Sequence, residues 1–356
     1  FILLVLIGAH SLSHYWHSPL LEDMLYWYSI TAIAFIPFSH FEYVQQANMS
    51  FKGIFASYST RQGVFFLLVL LSVILFKNEL TLNTLVKFQV LGTCLATIIS
   101  FFYARKYFLH NFSPSVKWIN ELLRYGKYSF GSGISASIFG SMDRYMTASF
   151  LNNVVVAFYD VSSRINNVID VPTSAAADII FPKSARASFE EGKEKVCYMY
   201  EKMSGILVGL VLPVCIFVFI FTEWVIRILA GEKYLLAAGI IRVTMLSAIL
   251  RPVQNQAANI FNAVNKPNIT FYLNIVVLSF NLLVNYFGIK WLGFMGAAYG
   301  TLFSTIFSFT IFFYYLNKVI GARLSRLIFY TIAFYHDIFL KACHYAKRFY
   351  NYVFHK

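Results

Sequence analysis

The chain has 356 residues, of which 58% are hydrophobic and only 13% are charged, and its net charge is +13. A soluble protein carries roughly 25% charged residues, so this composition and a mean hydropathy of +0.62 exclude a soluble globular protein. Several apolar runs reach the ~20 residues that are needed to cross a bilayer core. The composition therefore predicts an all-α polytopic membrane protein.

Ten spans are predicted in chain order, and the first of them is partial. Residues 1–9 are apolar, but they begin without Met and lack the basic start of a signal peptide. We interpret them as the end of a helix whose beginning is missing. The predicted spans cover 1–13, 24–42, 63–77, 84–104, 128–151, 154–180, 204–226, 236–262, 268–288 and 294–317.

Lys and Arg in the connectors predict the orientation, because cytoplasmic connectors of membrane proteins are enriched in both residues. Residues 14–23 carry neither, whereas 105–127 carry five and the tail after the last span is also basic. Alternate connectors thus place 105–127 and the C-terminus in the cytoplasm. The first partial helix then runs outward, which requires an even number of missing spans, most simply two.

The tail, residues 319–356, is basic and rich in aromatic residues. His336 and Asp337 interrupt its apolar run. An amphipathic helix that lies on the membrane surface is favoured here over a further span, although both alternatives stay open.

Motifs of a catalytic, metal or cofactor site do not occur in the sequence. The four cysteines are scattered, and no pair of histidines has metal-ligand spacing with carboxylates. Walker A and dinucleotide-binding patterns are also missing, and no connector is long enough for a folded domain. We therefore expect no enzyme activity, no cofactor and no metal. Cytoplasmic connectors account for the positive charge, so a nucleic-acid partner is not expected.

Charged residues inside three predicted spans carry the functional information. Such side chains usually face a protein interior or a water-filled cavity, and each costs at least about 2.5 kcal/mol on insertion scales. In the span 128–151, Asp143 and Arg144 are adjacent, and Arg144 shares a face with small residues. Two interpretations stay open for this pair: contacts with neighbouring helices that hold the bundle together, or a position at the border of a cavity.

The following span, 154–180, carries a polar stripe at helical spacing. Asp160 and Arg164 are four residues apart and are predicted to pair along the helix. A stripe of this length favours a solvated cavity over a single buried pair, and Arg164 becomes the strongest ligand candidate. The stripe and its flanks contain Asp160, Ser163, Arg164, Asn167, Asp170, Ser174 and Asp178.

A third polar face lies in the span 236–262, where Arg251, Asn255, Asn259 and Asn262 repeat at helical spacing. The next span repeats asparagines in the same way, at positions 274, 281 and 285. Interhelical hydrogen bonds are favoured for these asparagines. The last span carries small residues four apart, which predicts a helix-packing seam without a ligand role. The seam consists of Gly296, Gly300, Ser304 and Ser308.

Residues 122 to about 310 resemble a known family, the polysaccharide-unit flippases of the multidrug/oligosaccharidyl-lipid/polysaccharide exporter superfamily. The resemblance is carried by LLRYGKYSFGSGISASIFGSMDRYM, by VVVAFYDVSSRINNVIDVP with IIFPKSARAS after it, by LAGEKYLLAAGIIRV, and by NKPNITFYLNIVVLSFNLLVNYFGIKWLGFMGAAYGTLFS. It implies two helical lobes around a central cavity, and about ten of twelve spans present. Residues 1–104 would be spans three to six of the N-terminal lobe, 105–127 a cytoplasmic linker and 128–318 the C-terminal six-helix lobe.

The resemblance also implies a cargo and a location. The cargo is an undecaprenyl-diphosphate-linked oligosaccharide, of O-antigen or capsule type, moved by alternating access across the bacterial cytoplasmic (inner) membrane. Membrane lipids and polysaccharide-assembly machinery are the other implied partners. Guanidinium groups suit the diphosphate, amides suit sugar hydroxyls, and carboxylates would bind a coupling ion or orient the arginines. The candidates are, respectively, Arg144, Arg164 and Arg251; Asn167, Asn255 and Asn259; and Asp143, Asp160, Asp170 and Asp178.

Three alternatives remain open at this point. A multidrug exporter of the same superfamily would favour an acidic cavity for cationic drugs, which the intramembrane arginines argue against. A lipid II flippase is chemically closer to the favoured function. A membrane polysaccharide polymerase or glycosyltransferase would handle the same lipid, but a polymerase generally needs a sizeable outer loop, and the outward connectors here are short.

Overall fold

The computed structural model describes residues 8–11, 13–14, 19–75, 81–108, 115–151 and 153–354. All regular structure in these ranges is helical, which confirms the predicted all-α class. The chain divides into two compact units, Phe1–Ser113 and Pro114–Lys356. The predicted partial span at 1–13 lies mostly outside the described residues.

The described part of the first unit contains three long helices, α1 (Pro19–Ala47), α2 (Phe51–Leu75) and α3 (Leu82–Ala104). Polar side chains join α1 to α3: the Gln45 amide donates to the Ser100 hydroxyl at 2.9 Å, and the Thr97 hydroxyl donates to the Ala34 carbonyl at 3.1 Å. On α3, Gly92 lets the α2 backbone approach, since a Cβ there would lie 2.7 Å from a main-chain oxygen of α2.

The second unit contains eight helices in the part of the chain that the structure describes. Short turns join most neighbours, so α4 starts, α5 ends and α8 turns into α9 at the same end of the unit. The opposite end carries the α4–α5 and α9–α10 turns. The helices are α4 (Val116–Phe150), α5 (Asn153–Glu190), α6 (Lys193–Ile220), α7 (Thr222–Leu229), α8 (Ala238–Ala263), α9 (Pro267–Leu292), α10 (Phe294–Ile320) and α11 (Leu324–Phe354).

Within the described ranges, six segments are long and apolar enough to cross a membrane. They correspond to α2, α3, α6, α8, α9 and α10, with short extensions at some ends. The helices α4 and α5 do not meet this measure, because charged and polar residues are frequent in both. These two helices also contain the first two of the three predicted polar faces.

Some boundaries differ from the predicted spans. The helix α4 begins at Val116 rather than at 128, so half of the predicted linker is helical. The predicted span 204–226 is interrupted, because α6 ends at Ile220 and the short α7 begins at Thr222. At this break the Thr222 hydroxyl donates to the Val218 carbonyl at 2.6 Å and competes with continuation of the helix.

The helix α8 lies centrally in the second unit, where it packs against α5, α6 and α10. Its large apolar residues, such as Ile240, Ile241 and Phe261, are fully buried. Near the α9–α10 turn, Gly288 and Gly296 bring the backbones of α9 and α10 into direct contact. The small-residue seam predicted for the last span is therefore confirmed as a close helix contact.

The tail helix α11 packs lengthwise along α6 over its first three turns. Glycines on α6 permit the approach, and the Thr331 and Tyr335 hydroxyls donate to the carbonyls of Gly205 and Gly209 at 3.0 and 2.7 Å. The contacts advance in the same order along both helices, so α11 runs parallel to α6 in this region.

Candidate functional site

A polar cavity lies inside the second unit, between α4, α5, α8, α9 and α10. It consists of two chambers of about 360 and 280 Å³ that share lining residues. The two chambers meet at Phe139, Gly140, Asp170, Arg251 and Thr305. Because these positions fall in the middle of long helices, the cavity lies at membrane depth.

Arg251 on α8 occupies the junction of the two chambers. Its Nη1 donates to Asp170 Oδ2 at 2.8 Å, and its Nη2 donates to Asn166 Oδ1 at 2.6 Å. The side chains of Arg251 and Asp170 are 25% and 27% exposed. The remaining Arg251 Nε is buried and has no hydrogen-bond partner among the described residues. The guanidinium is thus held from one side and retains hydrogen-bonding capacity.

Arg144 and Asp160 form a second ion pair, which joins α4 to α5. The Arg144 Nη1 lies 3.3 Å from Asp160 Oδ1, and its Nη2 donates to the Ser141 hydroxyl at 3.3 Å. The predicted pairing of Asp160 with Arg164 is wrong, because Arg144 reaches Asp160 from the neighbouring helix while the Arg164 side chain is exposed. The Arg144 and Asp160 side chains are 40% and 47% exposed, so this pair is only half-buried.

Asp143 has different partners from its neighbour Arg144. The Thr301 hydroxyl lies 2.6 and 2.7 Å from its two carboxylate oxygens, and Asn285 Nδ2 donates to Oδ1 at 2.8 Å. Both Asn285 and Asn281 are fully buried. The Asn285 Oδ1 and Asn281 Nδ2 atoms have no partner among the described residues. The Asp143 carboxylate therefore lies in a pocket of hydroxyl and amide groups and forms no ion pair with an arginine of the described ranges.

The structure brings several predicted site residues together in the cavity. Those that line it are Asp143, Arg144, Asn167, Asp170, Arg251 and Asn255. Asp160 reaches the site through its ion pair with Arg144. Arg164 and Asp178 have exposed side chains outside the two chambers, and Asn259 donates to Gln256 at 3.4 Å. Arg251, rather than Arg164, thus holds the central place.

Among the polar residues of the site that sequence reasoning missed are Asn166, Thr301 and Thr305. Asn166 lies next to the chosen Asn167, and helical phase alone did not separate the two. Thr301 directly follows Gly300 of the small-residue seam. Its place next to a predicted helix–helix contact was the one sequence feature that could have indicated a role in the site. The prediction that asparagines on α9 bond across helices is confirmed by Asn285 and by Asn274, which donates to the Ser132 carbonyl at 3.4 Å.

The fold and the site define a class: an all-α polytopic membrane protein with polar and charged groups around a cavity at membrane depth. Solved structures share this fold. The Vibrio cholerae MATE transporter VcmN superposes with a TM-score of 0.76 at 14% identity, over 92% of this chain and 76% of that one. A MATE transporter in the straight conformation gives 0.78 at 16% identity, over 90% and 75%.

Residues 1–239 match the family described as polysaccharide biosynthesis protein, and the chain belongs to this family. Family membership and the shared fold agree with the resemblance to polysaccharide-unit flippases that the sequence carries. Multiple membrane spans agree with this membership.

Curated relatives carry similar descriptions. The probable low-salt glycan biosynthesis flippase Agl15 of Haloferax volcanii is 23% identical over 59% of this chain and 44% of its own length. An uncharacterised membrane protein in the cps region of Klebsiella pneumoniae is 24% identical over 85% and 62%. The chain thus spans about half the length of the curated relatives it matches.

Proposed function

We propose that the protein is a flippase that moves an undecaprenyl-diphosphate-linked oligosaccharide, of O-antigen or capsule type, across the membrane by alternating access. The observation that carries this proposal is Arg251, a cation held at membrane depth in a polar cavity. A lipid diphosphate is anionic, and its headgroup needs a cationic, hydrated path through the bilayer. The glycan flippase description of a relative supports the same cargo class.

Arg251 is the proposed diphosphate contact. Asp170 and Asn166 fix two of its nitrogens and so set the direction of the guanidinium, which can then offer its remaining donors to phosphate oxygens. Arg144 lies in the neighbouring chamber and offers a second cation. Asn167 and Asn255 line the two chambers and supply amides for sugar hydroxyls.

The carboxylates separate into two proposed roles by their partners. Asp160 and Asp170 each bond an arginine, which fits an orienting role. Asp143 bonds the Thr301 hydroxyl and the Asn285 Nδ2 group instead, and a carboxylate held by neutral donors is available to bind a coupling proton or cation. Asp143 is therefore the proposed coupling residue for an ion gradient.

The proposed location is the bacterial cytoplasmic membrane, with the end of the second unit at which α4 and α11 begin in the cytoplasm. The start of α4, the end of α5 and the start of α11 are basic, which supports a cytoplasmic position for that end of the second unit. Polysaccharide-assembly proteins are proposed partners, since a flipped repeat unit needs a polymerase on the other side.

Transport into proteoliposomes tests the function. Lipid-linked oligosaccharide extracted from the host would be reconstituted with the purified protein, and its outward movement followed by lectin accessibility. We expect faster movement than in empty liposomes, and at least a tenfold loss in Arg251→Ala. Arg242→Ala is the matched control, because Arg242 pairs with Glu223 outside the cavity.

Two outcomes would contradict the proposal. One is movement of the glycolipid no faster than in empty liposomes. The other is full activity in Arg251→Ala at normal protein content. Export of a cationic dye such as ethidium, without glycolipid movement, would instead support a multidrug exporter, which the fold of the MATE transporters also accommodates.

A further inference from the structure

A second cleft lies at the basic end of the second unit, apart from the polar cavity. It has a volume of about 700 Å³, which falls within the range of roughly 300–1,000 Å³ for small-molecule sites. Three segments form it: the start of α4, the end of α5 and the α8–α9 turn. Its walls combine aromatic rings with polar groups, and none of these residues belongs to the cavity described above.

The lengths of two helices create this cleft. With 35 and 38 residues, α4 and α5 are far longer than the ~20 residues that cross a bilayer core. The first turns of α4 and the last turns of α5 are basic, and they extend beyond the apolar segments at the same end. The positive-inside rule places this end in the cytoplasm. The cleft therefore lies at the cytoplasmic surface, below the cavity.

One aromatic wall of the cleft is fixed by contacts behind it. The Tyr125 hydroxyl donates to the Asn262 carbonyl at 3.3 Å. The Tyr128 ring packs against the Phe271 and Tyr272 rings, with centroids 5.8 and 6.2 Å apart. These contacts hold the two tyrosines in place before any ligand binds.

Two further aromatic side chains that line the cleft are exposed. The Trp118 side chain is 62% exposed, and Phe189 is 96% exposed although it lies among charged residues. Large aromatic groups that remain this exposed at a cleft are typical of binding surfaces. They provide flat apolar surfaces that can stack on the C–H face of a sugar ring.

Polar groups surround these rings at the rim. Glu121 and Arg124 come from α4, Asn265 comes from the α8–α9 turn, and Asn268 comes from the first turn of α9. Asn265 has a backbone φ of +58°, which asparagine tolerates better than most residues. Carboxylate, guanidinium and amide groups together donate to and accept from vicinal hydroxyls. The hydrocarbon chain of a lipid could not form hydrogen bonds with this polar rim.

We propose that this cleft binds the oligosaccharide of the lipid-linked cargo on the cytoplasmic side, before translocation. The proposal rests on the flippase function above. Before translocation, the diphosphate of the cargo lies at the cytoplasmic membrane surface, and the glycan extends from it into the cytoplasm. The cleft lies at the same depth as this glycan. Trp118 stacks on a sugar ring, and Asn265 and Asn268 bond its hydroxyls. The cleft thus recognises the sugars of the cargo and sets its specificity. The polar cavity recognises the diphosphate, which all such lipids share.

The proposed recognition of the glycan is tested with two cargoes that share one lipid and differ in their oligosaccharide. Lipid-linked oligosaccharide from the host would be compared with the same extract trimmed by exoglycosidases to its first sugar. In Trp118→Ala we expect the KM for the full oligosaccharide to rise at least fivefold, with kcat within twofold, and the KM for the trimmed lipid to change less than twofold. Asn265→Gly, which keeps the left-handed backbone and removes the amide, should show the same pattern. Trp291→Ala is the control, since Trp291 is exposed on α9, at the end opposite the cleft.

Direct binding separates this proposal from the flippase function. Free glycans released from the same extract should quench tryptophan fluorescence saturably in the wild type and not in Trp118→Phe. Quenching without transport would support glycan binding at the cleft and contradict the flippase function. Transport without quenching, or with equal KM changes for both lipids, would contradict glycan binding at the cleft and leave the flippase function standing. Quenching by empty vesicles alone would show that Trp118 only anchors α4 in the membrane surface.

Discussion

Arg251 on α8 and Asp170 on α5 are joined by a 2.8 Å ion pair at the junction of the two cavity chambers. Both side chains are about three-quarters buried, so neither charge is fully hydrated if the other is removed. The pair therefore combines a structural role, holding two helices together, with the proposed role of presenting a cation to the cargo. Mutation can separate the two roles.

Asp170→Ala is expected to lower both stability and transport. It leaves the Arg251 guanidinium partly buried with Asn166 alone, at a cost on the order of 1–3 kcal/mol. The double variant Asp170→Leu with Arg251→Met removes both charges, so it should recover most of the melting temperature and still not transport. Thermal unfolding in detergent and proteoliposome transport measure the two effects. Recovery of transport in the double variant would refute the cation role.

Asp143→Asn is expected to uncouple transport from the ion gradient. The amide oxygen can still accept from Thr301, so the fold should persist, but the site loses its charge. Transport driven by an imposed proton or Na⁺ gradient should fall to the rate seen without a gradient. Asp160→Asn is the matched control, because Asp160 bonds Arg144 and should leave the gradient response intact. Wild-type transport that ignores both gradients would exclude coupling at Asp143.

Glu201→Ala is expected to release the start of the tail helix α11. Glu201 is only 1% exposed, its Oε1 accepts from the Arg323 backbone N–H at 2.8 Å, and its Oε2 lies 3.7 Å from Arg326 Nη1. Loss of this buried acceptor should destabilise the fold by about 1–3 kcal/mol and increase proteolysis near residue 323. Glu194→Ala, an exposed carboxylate on the same helix, should change neither. Equal melting temperatures for the two variants would contradict the anchoring role.

Helical periodicity and the cost of charge in a membrane predicted much of the fold and part of the site. They located α8 and its Arg251, and they predicted that Asn285 bonds across helices. They did not predict the partners, because a side chain such as Arg144 chooses between Asp143, Asp160 and solvent by the position of neighbouring helices. Sequence spacing along one helix favoured a pair of Asp160 with Arg164, whereas Asp160 pairs with Arg144 of the neighbouring helix α4.

The cleft at the cytoplasmic end was not predicted at all. Its residues come from the start of α4, the end of α5 and the turn near Asn265, which are far apart in sequence. The region 105–127 was expected to be a linker, since its charge density obscured the helix that begins at Val116. Only the packing of three separate segments brings Trp118 and Phe189 to one surface.

Gly300→Ala tests whether packing of the seam supports the Asp143 site. A Cβ at this position would lie only 3.0 Å from the Asn285 Cγ atom and closer still to its amide oxygen, so Asn285 must move. Because Asn285 donates to Asp143, the gradient response should weaken together with a loss of stability. Gly133→Ala is the control: its Cβ meets no atom within 4 Å, and removing a helical glycine should stabilise by up to about 1 kcal/mol. A Gly300→Ala protein with wild-type melting and wild-type gradient response would show that Asn285 does not hold the Asp143 carboxylate in its working position.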